Sequence, residues 1–146
     1  MDDSKQHIIK NIAIELDCGF DCYCNVRTSE IIAIPSFSQF FDDEGFKEAF
    51  SDSLEKVKRD KKNFIKFETL ESFESFKIME RFVEQLPDLK LRLELENVLA
   101  NKKPFQNFKN KVDNSDFRQN WFQFKQLELE KKVKKELERI RLADHT

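Results

Sequence analysis

The chain predicts an α+β fold: a small three-stranded antiparallel sheet in the N-terminal half packed by helices, then an all-helical C-terminal half. Three observations carry that prediction. The spacing of apolar residues changes from the helical period to strict alternation at Phe20, and it is helical throughout beyond Thr69. Sixteen phenylalanines, against one tryptophan and one tyrosine, supply bulky side chains for a core although only 39% of the residues are hydrophobic. Two glycines and three prolines leave little chain for long loops, so the elements must follow one another closely. The length of 146 residues suits a single compact domain, 1–146.

The first predicted helix covers residues 5–17. Ser4 suits its N-cap, and Ile8 or Ile9, Ile12, Ala13 and Leu16 fall on one face. Gly19 follows as terminator, because glycine enters the left-handed region without a Cβ clash. Phe20, Cys22, Cys24 and Val26 then alternate with Asp21, Tyr23 and Asn25, the period of a strand. A turn over 27–30 leads to a second strand, 31–34, which Pro35 closes. Phe37, Phe40 and Phe41 lie in a connection. Asp42, Asp43 and Glu44 precede a helix of about 45–59 with Phe46, Ala49, Phe50, Leu54 and Val57 on its apolar side. Residues 63–69 alternate again and give the third strand. Helical spacing then predicts helices at about 72–86 (Phe73, Phe76, Met79, Val83, Leu86) and 88–101 (Leu91, Leu95, Val98, Leu99). A short helix from Pro104 carries Phe105, Phe108 and Val112, and a long one runs from about 116 to 141.

Charge is plentiful, at 37% of residues, and uneven. Residues 1–60 carry 7 basic and 13 acidic side chains, residues 61–100 carry 7 and 8, and residues 101–146 carry 12 and 7. An acidic front and a basic tail either steer a charged partner or attract each other within one fold. No apolar run approaches the ~20 residues that span a bilayer, so no membrane association is expected. The acidic N-terminus lacks the apolar core of a signal peptide, and three cysteines fit a reducing compartment; both point to the cytoplasm.

The stretch 103–125 is the most informative. It sets Phe105, Phe108, Phe117, Trp121, Phe122 and Phe124 among Lys103, Lys109, Lys111, Arg118 and Lys125. Rings interleaved with cations make either a core with a basic margin or a surface for single-stranded nucleic acid, where bases stack on rings and phosphates meet cations. Phe117, Trp121 and Phe124 share one helix face at i, i+4, i+7, the ordinary pattern of core contacts, and the slightly negative whole chain favours that use. The candidate binding residues are Lys103, Phe105, Phe108, Lys109, Arg118, Trp121, Phe124 and Lys125. In the last helix Glu128–Lys132, Glu130–Lys134, Lys132–Glu136 and Lys134–Glu138 are i, i+4 pairs of opposite charge. Its seam of Phe122, Leu129, Val133, Leu137 and Ile140 is used either inside the fold, with the helix projecting, or against another chain, including a second copy.

Dedicated chemistry is sparse. Cys18, Cys22 and Cys24 cluster, but a zinc site asks for four ligands and the histidines, His7 and His145, lie near opposite ends. Strand alternation puts Cys22 and Cys24 on the same face as Phe20 and Val26, where cysteine packs as a small hydrophobe. Asp42, Asp43 and Glu44 complement a helix dipole more readily than they bind a cation. Glu71, Glu74 and Glu80 would serve as acids or bases only if buried together. Gly19 and Gly45 cannot make a phosphate loop. No catalytic residue, metal or cofactor is assigned.

The segment Pro104-Phe105-Gln106-Asn107-Phe108-Lys109, followed by Trp121-Phe122-Gln123-Phe124-Lys125, resembles one of the numbered uncharacterised protein families of bacteria. The family pattern is a P-F-x-x-F-K-like segment, a polar turn, then W-F-x-F ahead of a charged helix. Residues 76–82 and the opening helix-and-hairpin layout are similar as well, so the resemblance covers most of the chain. The hairpin turn lacks the expected glycine. The family carries no assigned activity, so the resemblance assigns no role to any residue. The leading expectation is a non-enzymatic interaction or regulatory module acting on an unidentified protein partner or on itself. The alternatives are RNA or single-stranded nucleic-acid binding through 103–125, and an enzyme with a carboxylate-based site.

Overall fold

The computed structural model describes residues 3–36 and 48–144. The order is α1 (Asp3–Asp17), β1 (Phe20–Asn25), β2 (Ile31–Pro35), α2 (Ser51–Arg59), a 3-10 turn (Lys61–Asn63), β3 (Phe64–Phe67), α3 (Ser72–Glu84), α4 (Leu89–Leu99), α5 (Pro104–Asp113) and α6 (Arg118–Asp144). The expected α+β class holds. The three strands form one antiparallel sheet in the order β2-β1-β3, with β1 between its neighbours. The predicted connection at Phe37, Phe40 and Phe41, the acidic run 42–44 and Phe46 lie outside the described residues. The chain groups into two compact units, one made of residues up to Thr69 together with those from Leu129, the other of Leu70–Glu128.

In the first unit α1 buries Ile9, Ile12, Ala13 and Leu16, so Ile9 rather than Ile8 completes the inward stripe. Gly19 follows with φ 93° and turns the chain into β1. Cys22 pairs with Ala33 on one side and Phe67 on the other. Its thiol lies 3.9 Å from the Ile12 carbonyl, which places α1 over that face. The β1–β2 turn solves the missing glycine in two ways. Ser29 takes φ 66°, and the Asn25 side chain accepts from the N–H groups of Arg27 (2.9 Å) and Thr28 (3.2 Å). Asn25 Nδ2 also donates to Asp60 Oδ2 at 3.1 Å, while Asn63 Nδ2 donates to Asp60 Oδ1 at 2.6 Å. At the other end Asp21 accepts from the Thr69 N–H at 3.0 Å. Alternation alone would turn Asp21 and Asn25 outward. They are buried because each satisfies backbone or side-chain donors where strands end.

The helix expected over 45–59 is interrupted: Glu48 and Ala49 are helical, and a regular helix begins again at Ser51. Phe50 leaves helical geometry (φ −109°, ψ 10°), and Ser51 Oγ donates to the Glu48 carbonyl at 3.1 Å. Ala49 is exposed, and Phe50, Leu54 and Val57 are half-buried.

The second unit is helical, as expected. Each start has its own device. Glu71 N–H donates to Glu74 Oε1 at 3.2 Å before α3. Asp88 accepts from the Leu91 N–H at 3.1 Å before α4. Pro104 opens α5, with Lys103 in the left-handed region at φ 52°. Ser115 Oγ donates to the Val112 carbonyl at 2.7 Å and accepts from the Phe117 N–H at 3.1 Å, which sets the α5–α6 corner and moves the helix start to Arg118. Phe82 organises the core. Its ring centroid lies 5.2 Å from Trp121, 5.5 Å from Phe124 and 6.4 Å from Phe108, and Phe108 meets Trp121 at 4.9 Å. Most of these pairs are edge-to-face, the arrangement that sets ring edges against ring faces. Met79, Val83, Leu86, Leu91, Leu95 and Val112 pack into the same cluster.

Candidate protein-docking site

The segment 103–125 folds so that its rings divide. Phe108 and Trp121 are buried, Phe117 and Phe124 are half-buried, and Phe105 and Phe122 are exposed. Lys125 Nζ lies 5.9 Å from the Trp121 ring centroid and the Arg118 guanidinium 5.0 Å from that of Phe122. Arg118 also faces Asp113 at 3.6 Å, and Lys111 pairs with Glu94 at 3.1 Å. Lys103 and Lys109 are exposed. The eight candidate binding residues therefore do not share one surface. Phe108, Trp121 and Phe124 surround Phe82, whereas Phe105 turns to Phe76, edge-to-face at 6.3 Å.

Phe105 and Phe76 lead to a hollow of about 370 Å³ between α3 and α4. Phe76, Val83, Leu99 and Ala100 form its apolar wall, and Glu80, Glu84 and Glu96 line it with carboxylates. The local sequence explains why it stays open. On α3, Phe73, Phe76, Glu80 and Glu84 follow one another at i, i+3, i+7, i+11, a stripe beside the one that sends Met79 and Phe82 inward. On α4, Leu91 and Leu95 point into the core, while Leu89, Leu93, Glu96 and Ala100 repeat at i, i+4, i+7, i+11 on another stripe. Large apolar side chains on these stripes are left to solvent, Phe73 being 59% exposed, Leu89 65% and Leu93 57%; Phe105, on α5, is 43% exposed.

This corrects one expectation. Phe73 does not belong to the core face of its helix; one position into α3, it lies on the flank of the stripe that Met79 and Val83 bury. Leu89, Leu93, Glu84 and Glu96 were not singled out from the sequence. The available signal was the leucine pattern of α4, with Leu at 89, 91, 93, 95 and 99, which is too many for one inward face.

Elsewhere the carboxylates and thiols serve structure. Glu71 and Glu74 meet at the start of α3, and Glu80 stands apart from them in the hollow. Glu128 pairs with Arg81 at 3.2 Å, and Lys132 reaches Glu136 at 4.0 Å along α6. Burial pushes the Cys22 thiol up to about 12, helped by the negative neighbours Glu15 and Asp21 and by Cys24; burial raises Cys24 too. Both are poor nucleophiles at neutral pH. Lys66 loses some hydration, which lowers its pKa, but Tyr23, Glu68 and Asp21 outweigh that and hold its ammonium above the usual range. Among the described residues no group of three or more His, Cys, Asp or Glu is placed to hold a metal, and no helix is long and apolar enough to cross a membrane.

No curated protein and no solved structure matches the chain. A family model matches residues 3–144, nearly the whole length, in agreement with the expected resemblance to an uncharacterised family. The chain belongs to the Uncharacterised protein family (UPF0158).

Proposed function

We propose that the chain is a non-enzymatic interaction module whose docking face is the α3–α4 hollow with its flanking apolar side chains. One observation carries this reading: beside an apolar-walled hollow large hydrophobic residues are left exposed, Phe105 against the wall residue Phe76, Phe73 one helical turn before Phe76, and Leu93 one turn before Glu96. These side chains are 43–59% exposed, so roughly half of the ~1.5–3 kcal/mol of full burial is forgone apiece, and exposed apolar patches mark contact sites. A partner that covers them recovers that free energy.

Nucleic-acid binding through 103–125 is less well supported. Phe108 and Trp121 are enclosed by Phe82 and by each other, so neither ring offers a face to a base. Lys111 and Arg118 already lie beside carboxylates. A cytoplasmic setting suits the module, since Cys18, Cys22 and Cys24 are all free thiols.

Photo-crosslinking tests the reading. With benzoylphenylalanine in place of Phe73, irradiation in the native host is expected to give a discrete protein adduct, and in place of exposed Gln119 to give none. An absent adduct at 73, or the same adduct from both positions, contradicts it.

A further inference from the structure

The partner's chemistry follows from the shape and charge of the hollow, and this inference rests on the docking reading above. We infer that the α3–α4 face takes one amphipathic helix of a partner protein, with large apolar residues on one stripe and lysine or arginine beside it at i, i+4.

Two features fix this. The first is form. The lining runs along α3 from Phe76 through Glu80 to Glu84, two turns or about 12 Å at 1.5 Å per residue, and faces Glu96, Leu99 and Ala100 at the end of α4. A trough that follows a helix for two turns accepts a further helix through anchors at i, i+3 or i+4, and i+7. The second is charge. Residues 70–128 carry ten acidic and ten basic side chains, so the unit has no net bias. The three charged residues that line the hollow are nevertheless all glutamates. Glu80 and Glu84 are one turn apart on α3 and, among the described residues, neither has an ion-pair partner; Glu96 is reached by Arg92 at 3.2 Å. Carboxylates one helical turn apart present the complement of cations one turn apart on a facing helix. An acidic or neutral apolar helix would meet repulsion, or leave two carboxylates partly desolvated without compensation.

The test is selection from a displayed library of randomised peptides about four helical turns long, with the full chain as target. The selected peptides are expected to combine the apolar stripe with paired lysines or arginines. Their affinity should fall about tenfold for the Glu80→Lys/Glu84→Lys chain and weaken as salt rises. Selected peptides without a basic bias, or with equal affinity for both chains, overturn the inference while leaving a docking face in place. If no peptide is enriched, or if binding ignores Phe73→Ser/Leu93→Ser, the docking reading fails and the inference falls with it. All four substituted residues are exposed, so the variants are expected to keep the fold, which circular dichroism checks.

Discussion

Phe82 and Phe73 occupy the same helix and end in opposite environments. Phe82 is fully buried and touches three other rings, whereas Phe73 is mostly in water. Phe108 and Phe105, both on α5, repeat the contrast. The residue type is constant and only the position around the helix differs. Phenylalanine content therefore says little about what any one ring does here. The inward rings make the second unit cohere, and the outward ones are left to solvent.

The largest expected effect breaks that contrast from within. Phe82→Ala removes the ring on which Phe108, Trp121 and Phe124 converge, at a cost of about 3–5 kcal/mol. That is a large share of the stability of an ordinary domain. Phe105→Ser gives up one edge-to-face contact, with Phe76, and should cost about 1 kcal/mol. Urea unfolding of the two variants measures both, and similar losses would erase the distinction between the faces. A smaller effect carries the same rule to the sheet, where position again overrides residue type. Asn25 is polar yet buried, accepting from two turn N–H groups and donating to Asp60. Asn25→Ala should cost about 1–3 kcal/mol, because the orphaned groups lie at the sheet's end. A loss near zero would mean that Ser29 and the backbone hold the turn unaided.

The sequence makes the fold class, strand order in the chain and helix count after Thr69 legible, because alternation and helical spacing are written in apolar residues. The face that alternation assigns to Cys22 and Cys24 is the buried one beneath α1. What it does not show are polar side chains that act at element ends. Asn25, Asp21, Asp60 and Ser115 read as ordinary surface residues until their partners, up to 48 positions away for Asp21 and Thr69, are known. The proposed docking face was illegible for a related reason. Phe73 falls on the predicted core face of its helix, Leu89 and Leu93 lie off that of theirs, and only the packing of α3 against α4 shows which stripes the core has no room for. The ring-and-cation segment drew attention to 103–125, yet it contributes chiefly Phe105 to the outer face.

The division of rings into an enclosed set and a solvent-facing set is tested most directly through Trp121, the single tryptophan of the chain. It is 8% exposed and bracketed by Phe82 and Phe108. Its fluorescence in the native protein should be blue-shifted and weakly quenched by acrylamide, and should move to the red on unfolding in urea. Red emission with ready quenching in the native state would place that ring in water and contradict the account.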